Sequence, residues 1–326
     1  MKRTPRFILF VSLLHWIAFG GTFGTVALAG EAKSLVAPHK TAAEGKVSRD
    51  GFSLYYRISG DNGPLLVVLS GGPGSAPGYM KPVVDELSAK FRCVLLEQRG
   101  TGRSKLKTYD VTTINFSAYL EDLDALREHL GQDKLLLLGH SWGGMLALSY
   151  GGTYPDRTEA IVALAAGPSA EEHAEAEEEN VKRRLLPNER DQISAWEKRK
   201  AKEPIQAFGE IQRIMVPAYY YDRKKCADTL HYMTRDTNIA VMQLGYEPAF
   251  GSLEKFIRSR LSAIKAPVLL VHGRQDAVTE GGIVEAHHLI KGSQLKLINK
   301  CGHMLWIEQP DQCWRVVHEF LGSLPK

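Results

Sequence analysis

The stretch Lys134-Leu135-Leu136-Leu137-Leu138-Gly139-His140-Ser141-Trp142-Gly143-Gly144 constrains this chain more than any other. A run of leucines leads into Gly-x-Ser-x-Gly, and Met145-Leu146-Ala147-Leu148 continues as a helix-forming segment. That order, apolar strand, serine between glycines, helix, is what a nucleophile elbow requires. The serine sits there on a sharp, strained turn at the end of a buried strand. Gly139 and Gly143 suit the turn because a side chain at either position would block the close approach of neighbouring chain. The five-residue motif alone recurs by chance; its strand-to-helix context and its downstream partners give it weight.

The same pattern of short strands recurs along the chain. Runs at Leu65–Leu69, Phe91–Leu96, Leu135–Leu138, Ala160–Ala165 and Val268–Val271 are apolar almost throughout, and Gln294–Ile298 completes the set. Near-continuous apolar strands indicate a sheet covered on both faces. Between them, Phe116–Leu130 carries leucines at 120, 123, 126 and 130 with Gly131 as a stop signal, and Met145–Tyr150, Gly282–Ile290 and Cys313–Leu321 also read as helices. Ahead of them, Val47–Ser59 alternates as a hairpin about Asp50-Gly51. The alternation predicts an α/β architecture with a mainly parallel sheet, helices on both faces and right-handed crossovers.

A length of 326 residues suits one large α/β domain with an insertion, or two small domains. The segment from about Ser169 to Ser252 breaks the rhythm, being charged and helical in pattern. It reads as a helical cap (169–252) inserted into a core formed by 47–168 and 253–326. Its opening, Glu171 to Glu179, holds six glutamates followed by Lys182, Arg183 and Arg184. Glu178 with Lys182 and Glu179 with Arg183 make favourable i,i+4 pairs, so the run reads as a solvated helix face. A cation-attracting rim is the sharper alternative.

A serine hydroxyl becomes a good nucleophile only when a base takes its proton and a buried acid orients that base. Both partners follow Ser141 in the order Ser, Asp, His. Asp276 comes just after the Val268–Val271 strand, in His272-Gly273-Arg274-Gln275-Asp276-Ala277-Val278, and His303 just after the last strand, in Cys301-Gly302-His303-Met304. These positions are loops at the carboxyl edge of the sheet, where open α/β sheets place their sites. His272 and His140 flank the motifs and read as loop supports, His287 and His288 as surface residues, and Asp311 as a possible N-cap of the last helix. An oxyanion hole needs two backbone N–H donors. Trp142, the residue after the nucleophile, supplies one. The Gly71-Gly72-Pro73-Gly74 loop supplies the other through Gly72, with Gly71 as competitor, and Pro73 stiffens the loop without donating.

Three motifs, Gly71-Gly72-Pro73-Gly74, Glu97-Gln98-Arg99-Gly100-Thr101-Gly102-Arg103-Ser104 and Gly139-His140-Ser141-Trp142-Gly143-Gly144, together resemble the proline iminopeptidase-like branch of the α/β-hydrolase fold. That family reads His-Gly-Gly-Pro-Gly, Asp-Gln-Arg-Gly-x-Gly-x-Ser and Gly-Gly-Ser-Trp-Gly at these places, and the resemblance runs from about Val47 to Leu321. It implies a cofactor-free, metal-free serine hydrolase acting through an acyl-enzyme and releasing an N-terminal residue, typically proline, from a short peptide. Glutamates in the family's cap bind the substrate's free amine. Trp196-Glu197 resembles the Trp-Glu pair used for this, which makes Glu197 either an amine anchor or a plain helix-surface residue. Ser70 stands where the family has histidine, Glu97 where it has aspartate and His140 where it often has glycine. Ala277 occupies a position where some aminopeptidase relatives carry a glutamate. These departures bear on substrate and leave the triad intact. An esterase on the same machinery is the alternative, with Phe208, Tyr219, Tyr220, Tyr221 and Tyr246 as candidate walls of an acyl pocket. A non-catalytic binding protein is the remote one, since every triad member is present.

Composition is that of an ordinary globular protein, 44% hydrophobic and 24% charged. Lys2, Arg3 and Arg6 supply most of the net charge of +4, so the remainder is nearly neutral and nothing favours nucleic acid or an anionic membrane surface. Those basic residues precede an apolar run, Phe7 to Phe19, and the small-x-small Ala27-Leu28-Ala29. Residues 1–29 therefore read as a secretory signal cleaved after Ala29, for a periplasmic or secreted protein. The competing reading is an uncleaved membrane anchor through residues 7–29. Cys93, Cys226, Cys301 and Cys313 allow three pairings in an oxidising compartment, Cys301 with Cys313 being closest in sequence, or remain buried thiols.

Overall fold

The computed structural model describes residues 41–166, 171–227, 229–230, 237–246 and 250–325. The leader at 1–29 lies outside the described residues, as do residues 169–170 and 231–236 of the cap segment.

A hairpin comes first. β1 (Thr41–Arg49) and β2 (Phe52–Ser59) pair antiparallel about Asp50-Gly51, where Gly51 takes the left-handed φ of 77° that such a turn needs. Strands and helices then alternate: β3 (Leu65–Leu69), α1 (Lys81–Leu87), β4 (Arg92–Leu96), α2 (Phe116–His129), β5 (Leu135–His140), α3 (Trp142–Thr153) and β6 (Thr158–Leu164). After β6 come the helices α4 (Glu171–Arg184), α5 (Pro187–Arg199), α6 (Pro204–Met215), α7 (Ile239–Tyr246) and α8 (Phe250–Leu261). β7 (Val268–Gly273), α9 (Glu280–Leu289), β8 (Gln294–Ile298), the single turn α10 (Leu305–Glu308) and α11 (Pro310–Gly322) close the chain. Among the described residues the sheet runs β1-β2-β4-β3-β5-β6-β7-β8, with β1 and β2 antiparallel to their neighbours and the rest parallel.

The apolar strands read as they do because both sheet faces are covered. Leu65, Val67, Leu69, Leu135 and Leu137 face one core with Leu123 and Leu126 of α2, Leu146 of α3 and Ile257 of α8. Leu66, Val68, Leu136 and Leu138 face the other, with Val83 and Leu87 of α1 and Val317 and Phe320 of α11. Each such side chain contributes about 1.5–3 kcal/mol by burial. An exposed ion pair contributes about 0–1 kcal/mol. The two-sided sheet, rather than the charged cap helices, therefore holds the fold together. The cap has its own smaller core, in which Val181, Leu185, Ile193, Phe208, Ile211 and Met215 are buried, and this core packs onto Ala277.

Several boundaries have local causes. Asn115 caps α2 by accepting from the Ala118 N–H at 3.0 Å, and Gly131 follows the helix at φ 64°. α11 starts three residues earlier than expected. Pro310 takes its first position, so Gln309 is the N-cap and Asp311 lies in the first turn, where its charge still complements the helix N-terminus. The four cysteines are buried free thiols, and no disulfide joins Cys301 to Cys313. Burial pushes the Cys93 and Cys313 thiols up to about 12. Among the described residues no helix is long and apolar enough to cross a membrane.

Candidate active site

Ser141 ends β5 and begins α3 with φ 52° and ψ −121°, a conformation that costs a non-glycine residue energy and is found where a turn is over-determined by its surroundings. The glycines on either side show why. A Cβ on Gly139 would lie 2.1 Å from the Gly143 carbonyl oxygen, and one on Gly143 would lie 2.4 Å from that of Leu69. Ser141 N–H donates to the Leu164 carbonyl at 2.8 Å, tying the elbow to β6. Its hydroxyl makes no hydrogen bond among the described residues.

Asp276 and His303 meet on the loops after β7 and β8. His303 Nδ1 lies 2.7 Å from Asp276 Oδ2, and Asp276 Oδ1 accepts the Val278 N–H at 3.0 Å. His303 is 6% exposed and the carboxylate is fully enclosed, so both are held away from water. Burial lowers the His303 imidazole below the usual histidine range and raises the Asp276 carboxyl above the usual carboxylate range. The resting imidazole is thus neutral. His303 also lies beside the elbow: the ring of His140, one residue before Ser141, is 4.6 Å from its ring, and His140 Nε2 is 3.1 Å from the His303 carbonyl oxygen. Its own Nε2 makes no hydrogen bond among the described residues.

The loop after β3 approaches the serine from the other side. A Cβ on Gly71 would come 2.8 Å from Ser141 Cβ. Gly71 donates its N–H to the Tyr79 hydroxyl, whereas the N–H of Gly72 (φ 61°) has no partner among the described residues. Gly74 lies under α7, its carbonyl accepting the Asn238 N–H at 2.8 Å, and a Cβ there would sit 2.4 Å from the Asn238 carbonyl oxygen. Gln98 joins the loop to the elbow by donating to the Ser70 carbonyl at 2.8 Å and accepting from Trp142 Nε1 at 3.2 Å. Arg99 instead holds Asp122 of α2 in a buried bidentate pair at 2.7 and 2.8 Å. Glu97 accepts the Arg103 N–H at 2.6 Å. The Glu97–Ser104 motif is therefore scaffolding for the loop that carries Gly72.

The cap contributes a residue that pattern reading set aside. Glu178 and Glu179 do pair with Lys182 and Arg183, Glu179 on the exposed face of α4 and Glu178 with its own side chain largely covered. Glu177 turns inward. Its Oε1 accepts from the Tyr219 hydroxyl at 2.8 Å, and the Tyr219 ring lies 5.7 Å from the His303 ring. Burial raises this carboxyl to about 7, against the pull of the Tyr219 hydrogen bond, with a smaller push from Asp276. Glu197, by contrast, is on α5 with its side chain 38% exposed and 3.7 Å from Lys200. No described contact links it to Ser141, Asp276 or His303. Of the named aromatics, Tyr219 flanks His303, Tyr220 is buried in the core under the cap, and Tyr221 is exposed. Phe208 packs inside the cap.

Supporting groups hold the loops in place. His272 donates Nε2–H to the Val278 carbonyl at 3.1 Å, and burial keeps it below the usual histidine range. Arg184 of the cap reaches the Asp276 carbonyl at 3.2 Å. Glu308, which the sequence did not point to, bridges the N–H groups of Gly302 at 2.6 Å and Asp222 at 2.9 Å, fixing the histidine loop to the cap. His287 pairs with Ser293 at 2.8 Å and His288 is exposed, both away from the site. Among the described residues no group of His, Cys, Asp and Glu is placed to hold a metal ion.

Comparison with known proteins agrees with this fold. The sequence profile of the alpha/beta hydrolase fold matches residues 64–209. The proline iminopeptidase of Lactobacillus crispatus is 30% identical over 311 residues, spanning 86% of this chain and 98% of that protein. The proline iminopeptidase of Saccharolobus solfataricus is 28% identical over 289 residues, 84% of this chain and 90% of that one. Among solved structures, a proline iminopeptidase-related protein from Thermus thermophilus superposes with a TM-score of 0.68 at 24% identity, over 86% of this chain and 98% of that one. VinJ superposes at 0.69 with 22% identity, over 88% and 100%.

Proposed function

The chain belongs to the proline iminopeptidase-like branch of the α/β-hydrolase fold, and from that premise we propose that it is an exported serine aminopeptidase that releases an N-terminal residue, proline fitting best, from short peptides. In this reading Ser141 Oγ attacks the scissile carbonyl while His303 Nε2 takes its proton. Asp276 holds the imidazole through Nδ1. Gly72 and Trp142 N–H groups receive the oxyanion. His303 then gives the proton to the departing amine, leaving an acyl-Ser141 ester that water hydrolyses with His303 again as base. The observation that carries the reading is the 2.7 Å bond between His303 and Asp276 beside a strained, glycine-clamped serine. Because Tyr79 already takes the Gly71 N–H, Gly72 is the better placed oxyanion donor.

Glu177 is the carboxyl best placed to receive the substrate's ammonium group, in the role that Glu197 fills by motif alone. The pH dependence follows from the sign of its shift. A free carboxyl raised to about 7 is neutral below that pH and attracts a cation only above it. On a free-amino prolyl substrate, kcat/KM therefore climbs through about pH 7. A neutral short-chain ester offers no cation to Glu177, so its acid limb is only that of the Asp276–His303 pair, which the peptide shares. Glu177→Gln removes the part of the limb that the peptide profile has and the ester profile lacks, and raises KM for the peptide about 10- to 100-fold, the worth of one charge-assisted hydrogen bond, with ester hydrolysis unchanged. Paired pH profiles on the two substrates check this. Identical profiles, or a peptidase indifferent to N-acetylation of its substrate, would remove the amine anchor. They would favour the second reading, an esterase, for which the exposed, Lys200-paired Glu197 speaks.

Export rests on the leader sequence. Expression in a host with an active secretory route gives a mature chain whose N-terminal sequencing starts at Gly30; an intact Met1 in the membrane fraction would mean an anchor instead.

A further inference from the structure

His140, the variable residue of the Gly-x-Ser-x-Gly motif, is buried where relatives often have glycine, and its two ring nitrogens are both engaged. Nε2 lies 3.1 Å from the backbone carbonyl oxygen of His303, and Nδ1 lies 2.9 Å from the Tyr79 hydroxyl. A carbonyl oxygen only accepts, so Nε2 must carry a proton. A neutral imidazole has a single N–H, so Nδ1 must accept, and Tyr79 must donate its O–H to it. The hydroxyl's remaining capacity is filled by the Gly71 N–H. Proton direction is thereby fixed along one path: Gly71 N–H to Tyr79 O–H to His140 Nδ1, then His140 Nε2–H to His303 C=O.

We propose that Tyr79 and His140 are positioning residues for the serine reaction, a buried hydrogen-bond chain that sets the oxyanion loop, the nucleophile elbow and the histidine loop in register. The inference rests on the hydrolase reading of Ser141. Each end of the chain is one step from a reacting group: Gly71 precedes Gly72, His140 precedes Ser141, and His303 is the base itself. The surroundings keep the chain rigid. Tyr79 is 3% exposed and stacks 6.3 Å from Trp306, whose ring meets that of His140 edge-on at 4.9 Å. The titratable groups facing His140 are Tyr79, His303 and His272, and burial with the two histidines holds His140 far below its ordinary range. Burial likewise keeps Tyr79 protonated. A neutral His140 has a functional consequence, since a second positive charge 4.6 Å from the His303 ring would oppose the imidazolium formed during acyl transfer.

Tyr79→Phe keeps the ring and deletes the hydroxyl that joins the Gly71 amide to His140, leaving the His140–His303 bond in place. Measured per active serine, after titration with a fluorophosphonate, kcat falls about 10- to 100-fold, as expected for a displacement of reacting groups by less than an ångström. KM stays within about threefold because no substrate contact is lost. Titrating the serines separates this from instability: a variant that is only less well folded has fewer active serines, each turning over at the parent rate, and that result would overturn the proposal. If Tyr79→Phe does not fold, the parent protein still decides. Long-range ¹H–¹⁵N spectra should show His140 protonated on Nε2 alone and unchanged between about pH 5 and 9. A His140 that titrates in that window, or carries its proton on Nδ1, would equally refute the chain. Failure of the parent Ser141 to label at all would instead retire the nucleophile, and with it any role for Tyr79 in positioning it.

Discussion

Ser141→Ala lowers kcat on every substrate the protein turns over by a factor on the order of 10⁶ and abolishes fluorophosphonate labelling. The structure makes this substitution unusually clean. The Ser141 side chain makes no capping bond to α3 and no other hydrogen bond among the described residues, so no structural contact is lost with the hydroxyl. Alanine carries the same Cβ through the same left-handed backbone, and the elbow's own constraints, Gly139 against Gly143 and Gly143 against Leu69, are untouched. Stability should therefore stay within about 0.5 kcal/mol of the parent, the range of a substitution that removes no buried contact. Urea unfolding alongside steady-state kinetics checks both halves. Activity retained within tenfold in a protein of unchanged stability would eliminate Ser141 as the nucleophile.

The positions of Ser141, Asp276 and His303 could be read from the chain because each follows an apolar strand, and in a parallel sheet the ends of such strands converge at one edge. Strand identity was legible for the same reason: burial on both faces leaves a run of Leu and Val with little alternation, as in Leu135–Leu138. Contacts chosen by side-chain packing were not legible. Nothing in Gly71-Gly72-Pro73-Gly74 says which amide is spoken for; that depends on Tyr79, eight residues on, turning its hydroxyl inward. Pro310 displaced Asp311 from the cap of α11 because a proline ring fits the first helical position better than an aspartate competes for the one before it.

Glu177 is the instructive miss. Within Glu171–Glu179 every glutamate has the same chemistry, and the charge run suggested one solvated face. The helical spacing held the distinguishing signal: Glu177, Val181 and Leu185 lie four residues apart on one stripe, and Val181 and Leu185 are buried at 1% and 4% exposure. A glutamate extending an apolar stripe is an inward-facing glutamate. What the stripe could not reveal is its target. α4 reaches the acid loop through Asn180, whose side chain donates to the Ala277 carbonyl at 3.0 Å, and that tertiary contact brings Glu177 to Tyr219 beside His303. Glu197 had the better motif and the poorer position, since Trp196 packs against the cap core and is covered by Arg199 at 4.0 Å, while its neighbour points to solvent.

Asp276→Asn tests the remaining member of the proposed triad, and the hydrogen bonds around the carboxylate dictate how it fails. Oδ1 is held by the Val278 N–H and Oδ2 by His303 Nδ1. An asparagine must keep its carbonyl oxygen towards Val278, because the flipped amide would set NH₂ against N–H. Its NH₂ then faces His303 and donates to Nδ1. The imidazole proton is forced onto Nε2, the nitrogen that has to accept from Ser141, so the base is present, neutral, correctly placed and in the wrong tautomer. kcat falls by about 10⁴ near neutral pH while KM and stability change little. Asp276→Ala should differ in kind. It leaves the Val278 N–H and His303 Nδ1 without partners in a buried site, costing about 1–3 kcal/mol for each group left unsatisfied, and frees the ring to rotate. Kinetics, urea unfolding and the ¹⁵N shifts of His303 separate the two variants. A fall of less than tenfold in Asp276→Asn, with His303 still protonated on Nδ1, would mean that another group orients the imidazole and that Asp276 serves the loop alone.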